Sequence, residues 1–399
     1  MSEVIKPRIR IADYNKDWQK KPFGEMVMRS SASSASPFLP HIEYEDIVSG
    51  RGYLNKDPLD KINILKQGLL FQSGDLLFGK LRAYLQNNIL ATFQGIAVGD
   101  FWVLRPKENG NFLFNLIKTE QFQKIANTSI GTKMPRSDWE LVSTANYYIP
   151  EIEEQKDIAR IIDNIEISMQ KCELELLKLT QTKKAYRSML FPRLGEKRPR
   201  LRFKGFKEDW DTAPLSDYLT IRTDICGNDY TINDVLSVSG DYGVVNQIAF
   251  QGRSFAGASI ANYRVVNIGN VIYTKSPLKA NPYGIIKAAK KEEGVVSPLY
   301  AVYNTTYKGN ANFIQVFFDE EVSLNNYLRP LVNKGAKNTL LISDSTAISG
   351  MVTFPKIEEQ RAIADFFVSL DTLIQTNSRR LEQLKRIKSA CLDGMFVNE

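Results

Sequence analysis

Pro150-Glu151-Ile152-Glu153-Glu154-Gln155 returns 205 positions later as Pro355-Lys356-Ile357-Glu358-Glu359-Gln360, and a long helical pattern follows each copy. Proline opens each segment, and acidic residues occupy the first turn, where they complement the positive end of the helix dipole. Beyond the first copy, apolar positions step by four and three through Ile158, Ile162, Ile165, Met169, Cys172, Leu176 and Leu179. The second copy keeps step through Ile363, Phe367, Leu370, Ile374, Asn377, Leu381 and Leu384. A 3-4 alternation held over about five heptads is a coiled-coil seam rather than the stripe of an ordinary surface helix. Asn377 and the matched Lys183 and Lys388 interrupt it, and such polar positions fix register at some cost in stability. Each pattern runs for about 37 residues, a helix of about 55 Å, and Phe191-Pro192 ends the first. Either helix alone would expose a long apolar stripe, so the two are expected to pair with each other. The alternative is that each packs on its own globular domain.

Working outward, Pro7-Arg8-Ile9-Arg10-Ile11, ending at Asp17-Trp18, returns 192 positions later as Pro199-Arg200-Leu201-Arg202-Phe203, ending at Asp209-Trp210. The whole unit therefore repeats, and the segment inside its second copy is longer by 13 residues, the difference of the two offsets. The middles, residues 19–149 and 211–353, are unlike each other. Both alternate short apolar runs with turn signals, for example Gly74–Gly79, Gly99–Leu104, Gly269–Tyr273, Gly294–Val296 and Phe313–Phe318. Helical stretches follow near Phe112–Ala126 and Leu324–Val332, so each middle is expected to be a strand-rich α+β domain. Residues 193–207 are basic and are expected to be a solvated connector running into the second middle. A chain built twice, with fixed ends and dissimilar middles, does one job on two targets.

Composition sets the outer bounds. A chain of 399 residues, 43% hydrophobic and 11% aromatic, has material for two or three domains with cores of their own. No apolar run reaches the roughly 18 residues of a membrane span, and Met1–Lys6 has no signal-peptide core, so a cytoplasmic protein is expected. Cys172, Cys226 and Cys391 form no metal-ligand spacing, and the two on helical apolar positions are expected to be buried. His41 is the single histidine and lies after Pro40 in a polar loop, which leaves no room for a histidine-rich metal site. A net charge of +7 and a pI near 9.0 favour a polyanionic partner.

Catalytic signatures come close and then fail. Gly74-Asp75-Leu76-Leu77-Phe78-Gly79-Lys80-Leu81 has P-loop spacing, but Leu81 replaces the hydroxyl that would hold Mg²⁺, and the Leu-Leu-Phe centre suits a strand ending in a lysine. Asn281-Pro282-Tyr283-Gly284 approaches the Asn-Pro-Pro-Tyr loop of adenine methyltransferases and lacks the second proline. No catalytic residue, metal site or nuclease carboxylate cluster is expected. The residues suited to binding are basic, amide or aromatic and lie on strand ends and loops. They are Lys80, Arg82, Tyr84, Thr132, Lys133 and Arg136 in the first middle, and Arg264, Lys275, Lys279, Lys334, Lys337 and Asn338 in the second. Arginine reads guanine edges with its planar fork and asparagine reads adenine, while lysines more often position phosphates.

Together these features resemble the specificity (S) subunit of type I restriction–modification systems. The resemblance rests on the duplicated Pro-x-Ile-Glu-Glu-Gln helix start, Gly74–Arg82, Tyr273–Ser276, Pro282–Gly284 and Gly294–Tyr300, and it covers essentially the whole chain. It implies an α+β protein with two target-recognition domains separated by two long antiparallel coiled-coil helices. The division would be residues 1–150, the central helix 151–192, basic linker and second recognition domain 193–355, and the C-terminal helix 356–399. It further implies a non-catalytic reader of a bipartite, asymmetric site on double-stranded DNA, working in DNA methylation and phage defence. Two modification (methyltransferase) subunits and the restriction (helicase-nuclease) subunits would dock on the helices, with Ile158, Ile162, Ile165, Met169, Leu176, Leu179, Ile363, Phe367, Leu370, Ile374, Leu381 and Leu384 serving helix pairing and docking. S-adenosylmethionine, ATP and Mg²⁺ would belong to those partners and not to this chain. The competing readings are a single-chain methyltransferase or restriction enzyme fused to a DNA reader, and a coiled-coil scaffold that does not bind DNA.

Overall fold

Both helical patterns form uninterrupted helices, Ile152–Leu190 of 39 residues and Ile357–Gly394 of 38. The computed structural model describes residues 6–62, 65–128, 134–257, 259–278, 281–334 and 340–397. It divides into two compact units, one of residues 1–174 and 378–399 and the other of residues 175–377. The divisions fall inside the helices, so each unit holds the start of one long helix and the end of the other.

Within the first unit, an antiparallel sheet runs in the order Val27–Ser30, Phe101–Pro106, Leu76–Gly79, Asn88–Leu90. Within the second, the sheet Leu219–Arg222, Ala301–Thr305, Val271–Tyr273, Ile286–Ala288 has the same order and sense. A two-stranded antiparallel ribbon sits at the base of each long helix, Gln19–Pro22 with Asn146–Ile149 and Asp211–Pro214 with Met351–Phe354. The remaining strands differ. The first unit adds a four-stranded sheet, Ser33–Ser34, Gly68–Phe71, Gly95–Ala97 and His41–Ile42, whose last two strands are parallel. The second adds the pairs Leu236–Ser239 with Gly243–Asn246 and Arg264–Val266 with Gly294–Val296.

The Pro-x-Ile-Glu-Glu-Gln string joins helix to sheet domain. Gln155 donates to its own Pro150 carbonyl at 2.9 Å and accepts from the Asn109 backbone N–H at 3.0 Å. Asn109 caps helix Gly110–Leu116 by accepting from Phe112 N–H. Gln360 repeats this with Pro355 and with Asn310, which caps Ala311–Phe318. The glutamine side chain satisfies one backbone carbonyl and one backbone N–H, which is why the position needs both a donor and an acceptor, while the asparagine it holds caps the helix end. The preceding acid does similar work: Glu154 takes both arms of Arg10 at 2.8 Å, and Glu359 takes Arg202 at 2.7 and 2.6 Å.

The proline–tryptophan motif also reaches the end of the other helix in its unit. Ile9 N–H donates to Gly394 carbonyl at 2.8 Å and Leu201 N–H to Met189 carbonyl at 2.9 Å, contacts related by the same offsets of 192 and 205. Phe112 stacks near Phe396 at 5.0 Å between centroids, and Phe313 near Phe191 at 5.7 Å. In each unit, therefore, the beginning of one long helix lies antiparallel beside the end of the other. The seam lysines are paired across it: Lys388 with Glu166 at 2.6 Å in the first unit, Lys183 with Asp371 at 2.5 Å in the second.

Three readings of the sequence change. Phe313–Phe318 is not a strand; it belongs to helix Ala311–Phe318, and its run of apolar residues reflects a helix buried on nearly all sides. A short apolar run carries no period that separates the two cases, and the Asn310 cap was the available signal. Residues 193–207 are not simply a solvated connector, because Arg202 is half-buried and paired with the buried Glu359, and Leu201 N–H is bonded to the Met189 carbonyl. His41 is buried on a strand, its two ring nitrogens at 3.2 Å from the carbonyls of Lys61 and Lys66.

A lysine in the first unit makes stability depend on pH. Lys118 is half-buried beside Phe114, its ammonium 3.7 Å from the ring centroid. Burial lowers its pKa to about 7, the nearby Lys388 adds to this, and Glu166 and Asp163 oppose it. Between about pH 7 and the ordinary value of 10.5 the unfolded chain holds a proton that the folded protein sheds, so this group's contribution to stability rises with pH. Lys118→Met is expected to raise stability at pH 7 by roughly 1–3 kcal/mol, and the gain should shrink toward pH 10. Thermal unfolding at pH 7 and 9.5 checks this, and an equal gain at both would contradict it.

Candidate nucleic-acid interface

Lys80 and Lys275 occupy equivalent places, 195 residues apart, as do Gly74 and Gly269 ahead of them. Each follows the inner strand of its unit's main sheet, Leu76–Gly79 or Val271–Tyr273. A strand end is where the chain leaves the ladder, so a side chain there is held by the sheet and is not buried in it.

In the first unit, Lys80 lies 3.5 Å from Asp100, and Arg136 holds the same carboxylate through Nε at 3.0 Å and Nη2 at 2.9 Å. The backbone places these groups. Lys80 N–H donates to the Asp100 carbonyl, Ser137 N–H to the Lys80 carbonyl and Arg82 N–H to the Pro135 carbonyl, while Leu81 bridges Arg136. Arg82 is exposed and takes a left-handed backbone with φ 52°. Tyr84, next to it, is 58% exposed. The Tyr44 hydroxyl donates to the Asp100 carbonyl and accepts from Leu81 N–H, and burial pushes its pKa up to about 12, so it remains a protonated strut.

In the second unit the carboxylate is Asp344, the first residue of helix Asp344–Ala347. It takes Arg264 Nη1 at 2.5 Å and the Lys275 ammonium. Burial alone would raise the Asp344 pKa, but the hydrogen bonds from Lys275 and Arg264 outweigh it and hold the carboxyl below the usual range. Tyr303 hydroxyl donates to the Asp344 carbonyl at 2.9 Å, matching the part of Tyr44. Lys275 has φ 46°, unusual for a side chain of this kind.

The structure thus gathers Lys80, Arg82, Tyr84 and Arg136 in one place, and Arg264 and Lys275 in another. Thr132, Lys133, Lys279, Lys337 and Asn338 lie outside the described residues; Lys334 sits on the short strand Asn333–Lys334, whose backbone alone is described there. The acids Asp100 and Asp344 and the struts Tyr44 and Tyr303 were not singled out from the sequence. Asp100 and Arg136 are 36 residues apart, and Asp344 and Arg264 are 80, with no local pattern to link them. On the long helices, Ile158, Ile162, Met169, Ile363, Phe367, Leu370 and Leu381 are buried, and Ile165, Leu176, Leu179, Ile374 and Leu384 are half-buried. Ile158 and Ile162 belong to the core of the first unit, and Ile363, Phe367 and Leu370 to that of the second. Among the described residues, no group of three or more His, Cys, Asp and Glu could hold a metal ion, and no helix is long and apolar enough to cross a membrane.

Residues 15–179 match the family described as the type I restriction modification DNA specificity domain. The type I restriction enzyme EcoDI specificity subunit of Escherichia coli is 28% identical over 96 residues, which is 24% of this chain. The match spans only 22% of that relative's length. Among solved structures, the type I restriction-modification system S subunit from M. genitalium aligns over 99% of this chain and 100% of its own, with 12% identity and a TM-score of 0.64. That likeness is one of fold, an α+β architecture with long helices. The HsdS subunit from Thermoanaerobacter tengcongensis aligns over 96% of this chain and 97% of its own at 17% identity, with a TM-score of 0.44.

Proposed function

We propose, for a chain whose first half carries the type I restriction modification DNA specificity domain, that it is the non-catalytic DNA reader of a type I restriction–modification complex. Residues 1–150 and 193–355 each read one half of a bipartite, asymmetric site on double-stranded DNA. The observation that carries this is one frame bearing two cation clusters completed from non-equivalent parts of the two middles: the equivalent Lys80 and Lys275 share a carboxylate with Arg136 in one unit and with Arg264 in the other. Equivalent scaffolds position both readers, and dissimilar surroundings give each its own sequence. Arginine forks at these places suit guanine edges, and the lysines suit phosphates.

The long helices serve as spacer and dock. A helix of 39 residues is about 58 Å long, the rise of about 17 base pairs. Seam residues near the helix starts are turned toward the protein's own cores, so two modification subunits and the restriction subunits would use the outward faces, where Ile167, Leu174 and Leu177 are more than half exposed. S-adenosylmethionine, ATP and Mg²⁺ act on those partners, and the complex works in the cytoplasm.

Methylation profiling of DNA from cells carrying this chain with its methyltransferase subunit is expected to reveal a two-part site. Replacing residues 19–149 by the corresponding domain of another such subunit should change one half of that site and leave the other. A change in both halves would refute independent readers, and methylation without sequence preference would remove the reading itself.

A further inference from the structure

We propose that Asp100 and Asp344 are specificity-determining positioning residues, each setting how sharply its unit discriminates sequence through the lysine–arginine pair it holds. The proposal rests on the reading of these clusters as DNA contacts. Neither aspartate stands at an equivalent place in the repeat: Asp100 precedes strand Phe101–Pro106, whereas Asp344 starts a short helix. Yet the same assembly results in both units, with one carboxylate, one lysine, one arginine, and a tyrosine hydroxyl on the aspartate's own carbonyl. The same assembly reached by two routes points to a requirement of the site and not to an accident of one loop.

The carboxylate acts in two ways. It lowers the formal charge of each lysine–arginine pair from +2 to +1, which weakens attraction to any phosphate regardless of sequence. A phosphate that captures one of these cations only replaces one anion by another, so a non-cognate duplex gains little. It also fixes the arginine plane. Arg136 commits Nε and Nη2 to Asp100, and Arg264 commits Nη1 to Asp344. The remaining N–H groups are then aimed in one direction, and a base edge is read by groups that need not leave the aspartate. The side chains of Asp344, Lys275 and Arg264 are 15%, 16% and 21% exposed, against 28%, 30% and 51% for Asp100, Lys80 and Arg136. The second cluster is therefore the more tightly held, and its removal should be felt more.

The test uses the chain assembled with its methyltransferase subunits and duplexes carrying the site found by methylation profiling. Binding is measured over a salt series to that duplex, to duplexes altered in one half-site, and to an unrelated duplex. Asp100→Asn is expected to strengthen binding to the unrelated duplex several-fold and to steepen the salt slope by about one. Discrimination at one half-site should fall about tenfold while the other half-site is unaffected. Asp344→Asn should act on the opposite half-site with an equal or larger loss, and Asp→Glu should restore part of the discrimination in each case. Discrimination kept within twofold in both variants would overturn the proposal. So would a uniform loss of binding to every duplex with a lowered Tm, the mark of a merely structural role. A wild-type complex without sequence preference is a different result, and it would overturn the DNA-reader reading first.

Discussion

Glu154→Ala is expected to destabilise the protein by about 3–5 kcal/mol, because it leaves a charge without its partner in a nearly dry site. The Glu154 side chain is 3% exposed and the Arg10 side chain 13%. Both guanidinium arms bond the carboxylate at 2.8 Å, and Trp18 Nε1 lies 3.4 Å from the same acid. Alanine removes all three contacts and leaves Arg10 its bond to the Lys16 carbonyl. Glu359→Ala should cost a similar amount, since Glu359 is 2% exposed and holds Arg202 by two bonds. Replacing both members of a pair by methionine should cost far less than either single alanine, because no uncompensated charge remains. Urea unfolding of the four variants decides the matter, and single losses below about 1 kcal/mol would show that the pairs carry no such weight.

Lengthening both long helices by one heptad is expected to lengthen the preferred spacer between half-sites by about three base pairs, since seven residues add about 10 Å. The seam shows where the heptads belong. Insertion after Leu174 and after Arg379, positions related by the 205-residue offset, leaves Glu166 with Lys388 and Asp371 with Lys183. Insertion in one helix alone puts one of these pairs a heptad out of register and should abolish assembly of the active complex. Three extra base pairs also rotate one half-site by about 100° around the duplex, so affinity for the longer site should be weaker than for the natural one. Each half-site sequence should be unchanged. Methylation profiling of the double insertion checks this, and an unaltered spacer would refute the ruler.

Much of the architecture was legible in the chain. The seam positions from Ile158 to Leu179 and from Ile363 to Leu384 are the inward face of two unbroken helices, as their spacing requires. The inner strands after Gly74 and Gly269 and the lysines that follow them were equally plain. Helix pairing and packing on a domain stood as alternatives, and each helix does both. Its first turns enter a sheet-domain core, and its seam lysine or acid meets the other helix. The strand-like composition of Phe313–Phe318 hides a helix, because burial on nearly all sides blurs the helical period.

Repetition, by itself, determined that the chain has two matched frames with two unlike inserts, because periodicity and capping are local and survive in one dimension. The sequence also carried the buried Glu-Gln pairs of the helix starts, though not their work. Only the tertiary structure decided that Glu154 and Glu359 anchor the arginines of the proline–tryptophan motif. It alone placed Asp100 and Asp344 against their cations. Charge pairing acts over a few ångströms in space, so the partners of these carboxylates are set by where the chain returns and not by how far along it they stand.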